Sequence, residues 1–201
     1  MGNTAIITLT GASGSGKTSI FKALQSINPR LQLIESYTTR KPRGTDLPGE
    51  YVYMESQEKF SKLKAEGKFL WDVGEHNNAY GTLKESVDQA LRADTPKIML
   101  LVPKSVPLLM ARTDKVIPFY ILSPGEEILR KRLQKRGDKP EEIEKRISDC
   151  RDWDAEARES AANRTIPYYL ICNFEADSEE EIGLQAARWI RYSLRGHEIL
   201  I

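Results

Sequence analysis

The stretch Gly11-Ala12-Ser13-Gly14-Ser15-Gly16-Lys17-Thr18-Ser19 carries the spacing G-x-x-x-x-G-K-[ST], that of a phosphate-binding P-loop. Its glycines let the backbone curl tightly and turn N–H groups inward on an anion, with Ala12, Ser13, Ser15 and Ser19 completing the cradle. A helix starting at this point adds partial positive charge. Lys17 is placed to reach the β- and γ-phosphates of ATP, and the Thr18 hydroxyl to hold Mg²⁺. Two further sets of cations follow. Arg40 and Arg43, three apart in the basic stretch Ser36 to Gly44, can fork onto a second phosphate. Arg132 and Arg136 stand at i, i+4 on one helix face, and Arg146 on the next helix. Phosphoryl transfer between two phosphate groups needs little proton chemistry. It needs cations on both groups and an in-line arrangement, which these residue types supply.

The elements that must position these residues follow from periodicity. Ala5 to Leu9 is an apolar run of strand type, and Ile20, Phe21, Leu24 and Ile27 recur at helical spacing behind the loop. Leu31 to Ile34 reads as a second strand, Ser36 to Gly44 as a polar turn, and Tyr51 to Tyr53 as a strand. Ser56 caps a helix that runs to Glu66, stopped by Gly67. Phe69 to Val73 is a strand, and Thr82-Leu83-Lys84-Glu85 a capping box that opens a helix. Lys97 to Val102 and Val116 to Leu122 are buried parallel strands, the second carrying an unexplained Pro118. Ser123-Pro124-Gly125-Glu126 is a second capping box, its helix ending at Gly137. A charged helix starts near Pro140, Tyr168 to Cys172 is the last strand, and the closing helix places Ile182, Ala186, Trp189 and Ile190 inward. Strands alternating with helices imply an α/β fold, a mainly parallel sheet covered on both faces. Ligands bind such sheets at the carboxyl ends of the strands.

The 201 residues fit one domain with inserted subdomains, and 40% hydrophobic content is enough for a core at that size. Lys plus Arg number 30 and Asp plus Glu 29, a balance that argues against a nucleic-acid or membrane-surface partner. Apolar runs are too short for a membrane span, and Met1 to Ala5 does not open a signal peptide. Cys150 and Cys172 lack metal-site spacing and read as reduced thiols. A cytoplasmic location, where ATP is available, is expected. The sequence sets no oligomeric state.

Several motifs then narrow the family. Ser36-Tyr37-Thr38-Thr39-Arg40-Lys41-Pro42-Arg43 resembles the S-x-T-T-R-x-P-R stretch of guanylate kinases. Tyr51-x-Tyr53 resembles that family's Y-x-F, Tyr80-Gly81-Thr82 its Y-G-[ST], Arg132 to Gly137 its R-L-x-x-R-G, and Lys145-Arg146-Ile147 its K-R-L. Leu170-Ile171-Cys172-Asn173 is similar to its I-V-N strand. The resemblance covers nearly the whole chain, in order. It implies a P-loop NTPase core with a parallel sheet covered by helices (1–34, 84–124 and 163–201), a monophosphate-binding insertion (35–83) and a helical lid (125–162). It implies that Arg40, Arg43, Tyr51 and Tyr80 hold the acceptor phosphate, with Ser36 and Thr82 beside the substrate. Arg132, Arg136 and Arg146 become lid arginines that act with Lys17 and Arg40 on the transferred group. Asn173 either faces the adenine or caps a strand end.

The sequence departs from the family where the base is read. Trp71 stands in place of the family's glutamate and either fills core or stacks on a base. Asp72 or Glu75 can replace that carboxylate only if the strand slips or bulges. Ile98 to Pro103 replaces L-D-I-D, so both aspartates are gone. The resemblance therefore implies ATP- and Mg²⁺-dependent phosphoryl transfer to a nucleoside 5′-monophosphate. GMP or dGMP is the first expectation, with an altered base preference. Alternatives are a phosphosugar kinase of the ribose bisphosphate kinase type, or a non-catalytic module on the same fold. The module is disfavoured because Lys17 and Thr18 are present.

Overall fold

The computed structural model describes residues 4–44, 46–75, 78–172, 179–199 and 201. Strand β1 (Ile6–Thr10) is buried at every position and sits at the centre of a five-stranded parallel sheet. The sheet also contains β2 (Gln32–Leu33), β7 (Lys97–Leu101), β8 (Val116–Ile121) and β9 (Tyr169–Ile171), in the order β2-β7-β1-β8-β9. Its central strands, β1, β7 and β8, are largely buried and need cover on both faces. On one face Ile7, Leu9 and Phe119 pack against α1 (Lys17–Ile27) and α7 (Glu179–Arg195). On the other, Met99, Leu101 and Tyr120 pack against α3 (Lys84–Arg92), α4 (Val106–Met110) and the later turns of α6 (Pro140–Asn163).

Pro118 is tolerated for a geometric reason. The Leu122 N–H donates to the Ile171 carbonyl at 2.9 Å, so the even-numbered residues of β8 turn their N–H groups toward β9. β9 pairs only from Phe119 onward. At Pro118 no strand stands on that side, and the missing donor costs no ladder bond.

A second sheet draws all its strands from the segment between β2 and α3. Its order is β4-β3-β6-β5, with β4 (Tyr51–Tyr53), β3 (Ser36–Thr38), β6 (Asn78–Leu83) and β5 (Phe69–Glu75). Helix α2 (Gln57–Ala65) covers its outer face, where Phe60 stacks on Phe69 at 4.5 Å. Ser56 caps α2 as expected, accepting from the Lys59 N–H at 3.3 Å.

Four sequence expectations change. The turn expected from Ser36 opens instead with strand β3. Thr82 is no helix cap: it is buried in β6, 2.9 Å from the Ser36 hydroxyl, and α3 starts at Lys84 without a side-chain cap. Ser123 does not cap α5 (Glu126–Lys135) either. Its hydroxyl and N–H donate to Asp154 of α6 at 2.7 and 3.0 Å, and Gly125 precedes the helix. In each case a tertiary acceptor or donor displaced the local one. Trp189 is 51% exposed; the inner face of α7 is Ala186, Ala187, Ile190 and Leu194. Cys150 is buried, Cys172 exposed, and neither is in a disulfide. Among the described residues no helix is long and apolar enough to cross a membrane.

Candidate active site

The loop between β1 and α1 lies at the carboxyl end of the central strand. Lys17 opens α1, and its ammonium donates to the Gly11 and Ala12 carbonyls at 2.7 and 2.8 Å. Thr18 follows on the first turn, next to the helix N-terminus. Helix α5 packs directly on this loop, with Ala12 in one cluster with Leu129, Leu133, Ile143, Ile147 and Cys150. Gly14 makes that approach possible. Its φ is +86°, and a Cβ there would lie 2.6 Å from the Leu129 side chain.

This packing brings Arg132 and Arg136 to the loop. Arg132 donates to the Gly14 carbonyl at 3.0 Å, and Arg136 to the Ser13 hydroxyl at 2.9 Å. Arg146 is buried and lies 3.4 Å from the Asp138 carboxylate, which also accepts from Arg136. Burial opposes the charge of Asp138, but the hydrogen bond from Arg136 and the charges of Arg136, Arg146 and Arg43 hold its carboxyl below the usual range. Burial, then the like charge of Arg136, pulls Arg146 down.

The inner face of the second sheet carries Ser36, Tyr51, Tyr80 and Thr82, which the sequence resemblance places beside an acceptor. Ser36 is opposite Tyr51 in the register, Thr38 opposite Tyr80, and Trp71 opposite Thr82. Tyr51 and Tyr80 meet edge to face at 6.2 Å, and the Arg40 guanidinium lies 5.1 Å from the centre of the Tyr51 ring. Arg40 is only 7% exposed and pairs with Asp46 at 2.8 Å. Asp46 also accepts from the Tyr53 hydroxyl at 2.6 Å and the Arg43 N–H at 2.7 Å. Burial works against the Asp46 charge, yet these bonds keep its carboxyl low. Burial, then the bond to Asp46, pushes the Tyr53 phenol up to about 12. Burial raises Glu50, whose carboxylate accepts from the Leu47 N–H at 3.1 Å and feels the charge of Lys17.

Lys17, Thr18, the loop, Arg132 and Arg136 thus come together, with Arg146 beside them through Asp138. Arg40, Arg43, Ser36, Tyr51, Tyr80 and Thr82 form a second group, and the charge of Arg43 reaches Asp138 and Arg146. Asp72 joins neither. β5 does bulge, between Phe69 and Trp71, but the bulge inverts the phase of the strand in the unhelpful sense. It turns Trp71 inward and Asp72, opposite Gly81, outward to a salt bridge with Lys64 of α2. Trp71 is 6% exposed and packs with Ile34, Val87 and Met99, so it fills core. Asn173 lies outside the described residues. Sequence reasoning missed Asp46, Tyr53, Asp138 and Asp154. Acids within a few residues of Arg40 and Arg136 were the available signal for Asp46 and Asp138; Asp154 had none.

The guanylate kinase family model matches residues 3–160. The chain is 36% identical over 155 residues to a guanylate kinase of Rickettsia prowazekii, covering 77% of this chain and 79% of that one. It is 30% identical over 200 residues to a guanylate kinase of Granulibacter bethesdensis, covering 94% and 91%. The crystal structure of guanylate kinase from Anaplasma phagocytophilum shares the fold, with a TM-score of 0.61 at 20% identity over 94% of this chain and 85% of that one. With the motif order, the parallel sheet and the match over most of its length in agreement, the chain belongs to the guanylate kinase family.

Proposed function

We propose that this protein transfers the γ-phosphoryl group of ATP to a nucleoside 5′-monophosphate, giving ADP and the diphosphate, with GMP or dGMP the first acceptor to test. One observation carries the reading. Lys17 of α1 and Arg132 and Arg136 at the end of α5 all bond to a single glycine-rich loop, and Arg43 of the loop after β3 is near enough for its charge to act on Asp138 beside them. Converging positive charge of this kind suits a pair of phosphate groups. In this reading segments 1–34, 84–124 and 163–201 form the core, 35–83 the acceptor insertion and 125–162 the lid.

The loop fits a nucleotide with Mg²⁺. A Cβ at Gly11 would lie 2.6 Å from the Ile121 carbonyl, so glycine lets the loop pass this close to the end of β8, and the positive φ of Gly11, Gly14 and Gly16 gives it the tight curl that turns backbone N–H groups on an anion. Among the described residues no cluster of three carboxylate, thiol or imidazole groups is placed to hold a metal alone. Mg²⁺ would therefore be held by phosphate oxygens and the Thr18 hydroxyl, and would offset charge on the β- and γ-phosphates. Lys17 would exchange its loop carbonyls for the same phosphates. Arg40 and Arg43 would fix the acceptor phosphate, with Tyr51 and Tyr80 beside it.

On the inner face of the second sheet the base would meet hydroxyls from Ser36 and Thr82, which donate or accept equally well. Asp72 is turned away, and β7 offers Leu100 and Leu101. This supports a base preference weaker than one built on carboxylates, because a partner lacking at a guanine N–H costs about 1–3 kcal/mol. The experiment is a steady-state panel of ribo- and deoxyribonucleoside monophosphates with MgATP. Turnover of GMP and dGMP with measurable use of other bases is expected. Strict use of GMP would overturn the relaxed preference.

A further inference from the structure

The lid holds a carboxylate whose place is fixed by backbone rather than by chance. Helix α5 ends at Lys135 with Arg136 as its cap, and Gly137 follows with φ +83°. The Asp138 N–H then reaches back to the Leu133 carbonyl at 3.2 Å and the Gly137 N–H to Gln134 at 2.9 Å, a Schellman stop. Two residues later Pro140 opens α6 with its φ already set. Asp138 is therefore held at a rigid corner between two helices. Its carboxylate takes two hydrogen bonds from Arg136, one of them at 3.1 Å, and forms an ion pair at 3.4 Å with Arg146, whose buried Nε–H has no hydrogen-bond partner among the described residues. The side chains of Asp138 and Arg146 are 7% and 8% exposed.

Like charges this close repel, and each loses hydration on burial. Arg136, Arg146 and Arg43 are near enough to sense the same carboxylate. A single buried anion at the corner offsets that repulsion and gives two guanidinium groups, from different helices, one shared reference point. We propose that Asp138 is the positioning residue of the lid: it holds Arg136 and Arg146 converged beside the P-loop before any phosphate arrives. The proposal rests on the kinase reading of the site. Asp138 touches no reacting atom in this role. It acts through the arginines by setting their spacing, so its removal affects turnover more than acceptor binding.

The test compares wild type, Asp138→Asn and the conservative Asp138→Glu. In the free proteins, NMR of the arginine Nε–H groups reports whether Arg136 and Arg146 are held. With MgATP and GMP, kcat and KM are measured. Asp138→Asn should lose the ordered Nε–H signal of Arg136, which donates to the carboxylate, and shift that of Arg146, which the carboxylate pairs by charge. It should lower kcat on the order of tenfold to a hundredfold, the scale of a small misplacement of catalytic groups, and change the KM for GMP by less than about threefold. Asp138→Glu should recover part of both effects. Signals unchanged in Asp138→Asn would overturn the positioning role whatever the turnover. Signals lost with kcat within about twofold of wild type would overturn its consequence for the reaction. A wild-type protein without turnover, its arginines held as described, would instead overturn the kinase reading on which that consequence depends.

Discussion

Arg40 and Asp46 meet at 2.8 Å with side chains 7% and 14% exposed, six residues apart on one loop. The carboxylate also takes the Tyr53 hydroxyl and the Arg43 backbone N–H, so one acid fixes the Arg40 guanidinium and the main chain at Arg43, the two residues proposed to clamp the acceptor. Replacing Asp46 by Ala should therefore weaken the acceptor and leave ATP nearly untouched. A hydrogen bond to a charged group is worth about 1.5–3 kcal/mol, so the KM for GMP should rise roughly tenfold or more. Equal losses for both nucleotides would contradict the placement of this clamp on the acceptor side.

Arg40→Ala and Arg43→Ala should divide in the same sense. Arg40 is buried over Tyr51, so its loss also removes packing and should destabilise the protein, whereas Arg43 is exposed. Thermal unfolding beside the two KM values separates the effects. Equal destabilisation by both changes would contradict the description of the loop.

Asp46 and Asp138 both titrate below the ordinary aspartate value of 3.8. A lowered folded value means that their contribution to stability is complete above the unfolded value and disappears as pH falls through the folded one. Urea unfolding at neutral pH and near pH 3 should show wild type losing more stability over that interval than Asp46→Asn or Asp138→Asn. Identical losses in all three proteins would show that neither carboxyl is held by its arginine.

Asp154 ties α6 to the end of β8, accepting from the Tyr120 hydroxyl at 2.9 Å and from Ser123 at 2.7 and 3.0 Å. Tyr120 has no exposed surface, so Asp154→Ala strands its hydroxyl at a cost of about 1–3 kcal/mol. The melting temperature should fall by roughly 2–4 °C for each kcal/mol. A change within error would mean that the hydroxyl finds another partner.

What the sequence reveals here is local and periodic. The P-loop, the buried strands, α1 and the Gly137 stop all read correctly because the same few residues specify the element and its chemistry. What it hides is decided by contacts distant along the chain. β6 was not foreseen, and Thr82 looked like a cap, because its partner, Ser36, is forty-six positions away. Ser123 looked like a cap because Asp154 lies thirty-one positions on. The bulge before Trp71 has no residue signature, yet it decides which of Trp71 and Asp72 faces the acceptor side. The site follows the same division. Arginines are visible as motif; the aspartates that aim them become visible only when the chain is folded.

The most direct measurement is formation of GDP from GMP and MgATP by wild type and by Lys17→Ala, each shown folded by circular dichroism. In the proposed reaction Lys17 is the loop's cation at the transferring phosphate, and losing one such preorganised donor costs about 3–4 kcal/mol of transition-state stabilisation. The account predicts turnover by wild type and a rate on the order of a hundred- to a thousandfold lower in the folded variant. A folded wild type that phosphorylates no nucleoside monophosphate, or a Lys17→Ala variant as active as wild type, would contradict it.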